Sequence, residues 1–309
     1  MGIRFIFGRA GSGKSYYCLN QIKKKLENDK NNKLILLVPD QYTFQTEKKL
    51  LEHIGERALL RAEVLSFKRM ATRVFDRCGG RAINVIEDSG KNMLIYKLLK
   101  DKGEELQYFN RISKQQGFVG IVSKSITEFK KYNISEEILI EKESQIDNKD
   151  LKEKVNDLAS IYKIFNENLH KGYIDSEDIL SILAKKLKEC ELYNDAEIWV
   201  DEFTTFTPQQ LEVLKVLAKQ CKNINITLCS DGQIQFTEGE TDIFDVIKNT
   251  ENRILKMMQE NNISYKEPVN LNKKNIYRFN ESKELGHIEK YFFNYPFKIY
   301  KDDCKDIRL

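Results

Sequence analysis

Eight consecutive residues, Gly8-Arg9-Ala10-Gly11-Ser12-Gly13-Lys14-Ser15, fit G-x-x-x-x-G-K-[ST] at every fixed position. That pattern demands a strand, a tight loop and a helix in this order. Ile3, Phe5, Ile6 and Phe7 before the loop read as a short buried strand. Residues 16–27 after it read as a helix, with Leu19, Ile22 and Leu26 on one stripe and Lys23, Lys24 and Lys25 on the wet side. Glycines let the backbone curl until successive N–H groups point inward, and the helix adds the positive end of its dipole, so the loop suits phosphate. Gly8, Arg9, Ala10, Gly11, Ser12, Gly13, Lys14 and Ser15 are therefore assigned to ATP. Lys14 would reach the β- and γ-phosphates, and the Ser15 hydroxyl would ligate Mg²⁺.

The rest of the chain extends this beginning. Residues 33–38 are apolar after Lys33 and stop at Pro39, as a parallel strand covered on both faces would. A helix is expected over 43–54, a third strand over 62–65, and a helix capped by Ser66 that ends at Gly79-Gly80. This βα rhythm predicts a parallel sheet. From 89 to 187 it gives way to helices, expected at 89–102, 113–131, 135–143, 150–170 and 176–187. Strand character returns at 197–200, 223–229 and 263–271, with helices starting at Thr207-Pro208 and running over 241–261. The expected fold is an α/β, RecA-like P-loop NTPase domain with a parallel sheet, interrupted by an inserted all-helical subdomain. Its segments are 1–88 and 196–309 for the sheet domain and 89–195 for the insertion.

Composition narrows the class further. With 309 residues, 41% hydrophobic and 32% charged, the chain has enough to bury for about two domains. Its net charge of +4 neither demands nor excludes nucleic acid. Three histidines make a His-based metal site or a Ser-His-Asp triad improbable, and six widely spaced cysteines read as free thiols in a reducing, cytoplasmic setting. No apolar run reaches the ~20 residues of a membrane helix, and Met1-Gly2-Ile3-Arg4 leads straight into a strand rather than a signal peptide. Residues 302–309 read as a chain cut within or beside a strand.

A P-loop needs an acidic partner at the end of a neighbouring strand, and Asp201-Glu202 stands there. Asp201 would hold metal-bound water and Glu202, as the catalytic group, would lie next to the γ-phosphate. Asp231, in Ser230-Asp231-Gly232-Gln233 at the end of the next strand, could sense the γ-phosphate, although Asp-Gly also makes ordinary turns. Thr207, Pro208 and Gln210 have the form of a capping box. Lys68, Arg69 and Arg73 alternate with apolar residues, a mixture that serves single-stranded DNA or merely a solvated helix face.

The blocks Leu37-Val38-Pro39-Asp40-Gln41-Tyr42-Thr43-Phe44, Val64-Leu65-Ser66-Phe67-Lys68-Arg69 and Val200-Asp201-Glu202-Phe203-Thr204-Thr205-Phe206-Thr207-Pro208-Gln209, in this order after the P-loop, carry a resemblance. The chain resembles the N-terminal part of the AddB family, B subunits of the bacterial ATP-dependent helicase/deoxyribonuclease and relatives of UvrD-like superfamily-one helicases. The resemblance implies a heterodimer with an AddA-type subunit that processes DNA double-strand-break ends for recombinational repair. It implies an iron–sulfur cluster and a nuclease only in a far C-terminal part beyond this chain. It also assigns Gln210 to the glutamine that follows the acidic motif in active relatives. Two departures stand out: Thr205 replaces the last acid of Asp-Glu-x-x-Asp, and Met1 to Phe7 lack the adenine-gripping glutamine. They favour nucleotide binding over turnover, and leave a nucleotide-stabilised scaffold as the alternative.

Overall fold

Strands that are apolar on both sides must be covered on both sides, and the chain meets this requirement by alternating them with helices. The computed structural model describes residues 1–28, 33–55, 61–79, 84–169, 172–232, 243–272, 276–279, 281–293 and 296–307. Gly80, His170, Gln233, residues 241–242 and residues 308–309, on which expectations from the sequence fall, lie outside them. The strands are β1 (Ile3–Phe7), β2 (Leu34–Leu37), β3 (Ala62–Leu65), β4 (Val85–Ile86), β5 (Ile174–Asp175), β6 (Glu197–Val200), β7 (Asn223–Leu228) and β8 (Tyr265–Asn270). Six of them form one sheet in the order β3-β2-β6-β7-β1-β8, and every described pairing in it is parallel.

The helices are α1 (Lys14–Asn28), α2 (Thr43–Ile54), α3 (Phe67–Cys78), α4 (Asp88–Lys102), α5 (Gln116–Lys131), α6 (Glu136–Glu143), α7 (Lys149–Leu169), α8 (Ile179–Leu187), α9 (Pro208–Gln220), α10 (Asp245–Glu260) and α11 (Lys283–Tyr291). The chain divides into two compact units. One comprises Met1–Met70, Cys190–Phe206 and Leu214–Leu309; the other comprises Ala71–Glu189 and Thr207–Val213.

In the sheet unit, β2 and β6 are buried at every residue, which is why both lack polar alternation. Ile6, Leu34, Leu36, Val64 and Trp199 pack against Cys18, Leu19 and Ile22 of α1 and Leu50 of α2. Glu197 opens β6 fully buried, and its carboxylate is matched by Lys25 at 2.8 Å. In the helical unit, Ile95, Leu99, Phe118, Val122, Ile161 and Phe165 form the core. A buried polar cluster joins it, in which the Lys91 ammonium contacts Asp175 at 2.8 Å and Lys130 contacts Asp178 at 2.5 Å. Burial alone would raise the Asp175 pKa, but Lys130 and Lys91 together hold it below the usual carboxylate value. Asp157, also buried, accepts three backbone N–H bonds from Gln107, Tyr108 and Phe109.

Several expectations differ from the structure. The helical stretch contains a two-stranded pair, β4 with β5, too short to show alternation in sequence. Helix α11 was not expected at all, and residues 302–307 form no strand. Cys18, Cys221, Cys229 and Cys304 are free thiols, whereas Cys78 and Cys190 are disulfide-bonded, which their isolation along the chain did not reveal. Among the described residues, no helix is long and apolar enough to cross a membrane.

Candidate nucleotide site

All the elements that shape the site end at one edge of the sheet. β1 runs buried to Phe7, and the Gly8 N–H is tied to the Leu228 carbonyl of β7 at 3.2 Å. A Cβ on Gly8 would lie 2.1 Å from Ser12 Oγ, so only glycine lets the loop fold back on itself here. Gly13 has φ +90°, a left-handed backbone that L side chains avoid, and no atom lies within 4 Å of where its Cβ would point. The loop therefore closes tightly at its start and opens at its end. Helix α1 begins at Lys14, and its first intrahelical bond runs from Tyr17 N–H to the Gly13 carbonyl at 2.8 Å. The N–H groups of Lys14, Ser15 and Tyr16 precede that bond and point out of the helix start, the arrangement that favours anions.

The side chains follow the same logic. Lys14 Nζ folds across the loop and donates to the Gly8 carbonyl at 2.7 Å and the Arg9 carbonyl at 3.2 Å. Ser12 Oγ is buried, with no hydrogen-bond partner among the described residues. A buried hydroxyl without a partner costs stability on its own, and is explained if the loop is shaped for a ligand that completes it. Ser15 Oγ donates to Glu202 Oε1 at 3.2 Å, which brings the acidic pair to the P-loop.

The two acids are held differently. Asp201 follows β6 and is almost fully buried, and its Oδ1 accepts from Thr227 Oγ1 of β7 at 2.5 Å. Glu202 is exposed and takes φ +65°, a left-handed conformation that costs a non-glycine residue of order 1–3 kcal/mol. The loop behind it is braced from α10, where Thr250 Oγ1 donates to the Thr204 carbonyl at 2.9 Å. Beneath them, burial and the Asp201 charge push the Cys18 thiol well above its ordinary pKa, against the pull of Lys14. Cys18 is thus a neutral packing group.

Asp231 sits in a turn at the end of β7, where its Oδ1 accepts from Ser230 Oγ at 3.4 Å and its carbonyl from Asn270 Nδ2 at 3.4 Å. The neighbouring contact to the P-loop is made by a residue that the sequence reading missed. Asn272 accepts from the Arg9 N–H at 2.7 Å and donates to the Ser230 carbonyl at 2.9 Å, fastening the loop to the β7 turn. Arg278 and Glu289 were missed too. The Arg278 N–H donates to the Gly11 carbonyl at 3.4 Å, and Glu289 pairs with the Arg9 guanidinium at 2.9 Å. Single polar residues after a strand carry no local signal of such contacts.

A family model described as ADDB, N-terminal matches residues 5–289. The chain belongs to the AddB N-terminal family. It is 50% identical over 309 residues to the B subunit of the ATP-dependent helicase/deoxyribonuclease of Clostridium perfringens (strain 13 / Type A), covering 100% of this chain and 27% of that protein. It is 48% identical over 309 residues to the protein of that name from Clostridium botulinum (strain Hall / ATCC 3502 / NCTC 13319 / Type A), covering 99% of this chain and 27% of the relative. The like-named protein of Clostridium kluyveri (strain NBRC 12016) is 46% identical over 310 residues, with 100% of this chain and 27% of the relative covered. The chain thus spans only 27% of the length of these relatives.

The family blocks fall at defined places in this AddB-type fold. Val38-Pro39-Asp40-Gln41 follows β2, and Ser66 caps α3 by accepting from the Arg69 N–H at 3.2 Å. Lys68, Arg69, Thr72 and Arg73 are exposed on one face of α3, while Phe67, Met70, Ala71 and Val74 are buried on the other. Arg69 contacts Glu47 of α2 at 2.5 Å. Gln210 closes the capping box of α9: its Oε1 accepts from Thr207 N–H at 2.9 Å and its N–H donates to Thr207 Oγ1 at 3.3 Å.

Proposed function

We propose that the sheet unit is a RecA-like P-loop module that binds Mg²⁺-ATP, and that the chain is the ATP-binding N-terminal region of a helicase/deoxyribonuclease B subunit. In this reading it acts with an AddA-type partner on DNA double-strand-break ends. The observation that carries it is the loop itself: an open Gly13, an orphaned Ser12 hydroxyl and the α1 N-terminus facing the Asp201-Glu202 pair across the Ser15–Glu202 contact of 3.2 Å. The names of the relatives, each the B subunit of an ATP-dependent helicase/deoxyribonuclease, support the wider role. A cytoplasmic home follows from a DNA substrate. That Cys78 and Cys190 are disulfide-bonded counts against it, since cytosolic thiols are kept reduced.

The residues present fit ATP and its metal. Ser15 and Asp201 would hold Mg²⁺, which supplies charge neutralisation at the phosphates. Lys14 gives up its bonds to the Gly8 and Arg9 carbonyls and binds phosphate oxygens in their place. The backbone N–H groups of the loop and of α1 orient the phosphates. Glu202 is the group placed to hold a water, and it must release Ser15 to do so. With Thr205 where active relatives carry an acid, and Gln210 engaged in a cap, this chain on its own is set up for binding rather than rapid turnover.

The test is calorimetric titration of the chain with Mg²⁺-ATP beside Lys14→Ala, followed by a hydrolysis assay on the same samples. Loss of a hydrogen-bonded ion contact of about 1.5–3 kcal/mol predicts a roughly 10- to 150-fold weaker affinity for Lys14→Ala. Equal affinity of the two proteins would remove the P-loop from the site. Rapid hydrolysis by the isolated chain would refute the binding-without-turnover reading.

A further inference from the structure

Strand β2 is apolar throughout, as a strand covered on both faces should be. Strand β7, Asn223-Ile224-Asn225-Ile226-Thr227-Leu228, is buried from Ile224 onward, yet every second residue in it is polar. A buried polar side chain costs stability unless it is hydrogen-bonded, so each of these needs a partner. Asn223 accepts from the Lys266 ammonium, and Asn225 Nδ2 donates to the Ile198 carbonyl at 3.5 Å. Thr227 differs from both, because its hydroxyl donates to the Asp201 carboxylate at 2.5 Å.

The register of the sheet explains this contact. β6 and β7 run parallel with Val200 beside Ile226, so the next residue on each, Asp201 and Thr227, come side by side at the sheet edge. β1 brings Ile6 beside Thr227, and Ile6 packs against Cys18, Leu19 and Ile22, so the pair belongs to the face beneath helix α1. Thr227 is 3% exposed and Asp201 4%. Among the described residues, no other hydrogen bond reaches the Asp201 carboxylate. A valine would fill the same space with no hydroxyl to satisfy, and strands favour β-branched residues of either kind. What threonine adds is one donor, aimed at one oxygen of the acid.

Resting on the proposed Mg²⁺-ATP site, we propose that Thr227 is a positioning residue for the metal. It holds Oδ1 of Asp201 and leaves Oδ2 as the oxygen offered to Mg²⁺ or its water. Thr227 acts only through Asp201 and touches neither metal nor phosphate. A bond from a hydroxyl to an ionised carboxylate is short and strong, and such bonds fix the orientation of a ligating acid. Removing one typically weakens metal affinity by ~10–100-fold. The grip of the P-loop on the phosphates does not pass through this hydroxyl, so ATP without metal should not sense its loss.

The experiment titrates the whole 309-residue chain with ATP by calorimetry, in excess Mg²⁺ and again in EDTA, and takes the ratio of the two affinities as the metal dependence. Thr227→Val deletes the donor and keeps the branched shape, Thr227→Ala deletes it with a smaller side chain, and Thr227→Ser keeps it. The expected result is a metal dependence lowered on the order of ten-fold by valine and alanine, unchanged affinity in EDTA, and a serine variant within about three-fold of the parent. In an Asp201→Asn background, Thr227→Val should make no further difference, since the hydroxyl acts through that carboxylate. The thermal midpoint of each variant reports that it is folded. An unchanged or larger metal dependence in Thr227→Val, an equal loss in EDTA, or a serine variant as impaired as the valine one would overturn the positioning role and leave Thr227 a packing group. ATP bound equally well with and without Mg²⁺ by the parent chain would overturn the metal role of Asp201, and the inference with it. ATP bound under neither condition would overturn the phosphate reading itself, and this inference would fall with it.

Discussion

Glu251 offers a quantitative test of how α10 holds the site loop. Its side chain is 2% exposed, and Oε1 finds no hydrogen-bond partner among the described residues. Burial pushes its pKa up from the ordinary 4.5 to about 7, with the buried Lys248 ammonium pulling the other way. Tyr265 of β8 is close enough to have its own pKa raised, by burial first and by the Glu251 charge second. A carboxyl that binds its proton more tightly when folded loses stability as pH rises from about 4.5 to about 7, and carries the full cost above that window. At 1.36 kcal/mol per pH unit the cost at pH 8 is about 3 kcal/mol, most of which appears between pH 5 and pH 8. Glu251→Gln cannot ionise. Its stability relative to the parent chain, measured by urea unfolding, should therefore improve by about 2–3 kcal/mol from pH 5 to pH 8. The fixed cost of burying an amide cancels between the two pH values. A difference that stays constant with pH would refute the reasoning, because a neutral packing change does not titrate.

Three further outcomes are expected. Asp157→Ala strips three N–H groups of their acceptor, that of Phe109 buried, and should destabilise the helical unit by about 3 kcal/mol in urea unfolding; a loss under about 1 kcal/mol would contradict the clamp. Glu202→Gly and Glu202→Ala both delete the carboxylate, but only glycine relieves φ +65°, so the glycine variant should be the more stable by roughly 1 kcal/mol and the reverse order would exclude strain. Replacing Arg69 and Arg73 together by Ala should lower the salt dependence of single-stranded DNA binding by about 1.4 in the log–log slope, and an unchanged slope would leave α3 a solvated face.

The parts of the fold set by local pattern were legible in the sequence. Residues 43–54 and 62–65 coincide with α2 and β3, and the end of β2 at Leu37 precedes Pro39 as a fully buried strand should. Ser66, Ser135 and Thr207 each cap the helix that follows, as short polar side chains before an apolar run predict. What escaped was set by distance along the chain. The β4–β5 pair is two residues long, so it has no period to read. Helix α11 follows a weakly apolar stretch, and its contact with the P-loop joins residues 280 apart, Arg9 and Glu289. The P-loop residues announced themselves because one strand, one loop and one helix contain them all. Asn272 and Arg278 did not, because they reach the loop only through the parallel pairing of β8 with β1.

The two acids of the site show how one sheet edge can hold adjacent carboxylates for different tasks. Asp201 lies inside the protein with one oxygen fixed by Thr227, so it can present only its remaining face to a metal shell and cannot swing. Glu202 stands in solvent on a strained backbone and is bonded to Ser15 by a single contact of 3.2 Å that a metal-bound serine would have to break. A group that must change partner is better placed outside the core, where its charge is solvated in both arrangements. Strain at Glu202 serves the same end, since the chain turns sharply there and points the carboxylate back towards α1 rather than along the strand. Thr205, exposed further along the same loop, adds no charge beside this geometry. On the proposed reading, the fixed Asp201 would serve the metal and the mobile Glu202 would serve water, so the two carboxylates divide the work by burial alone.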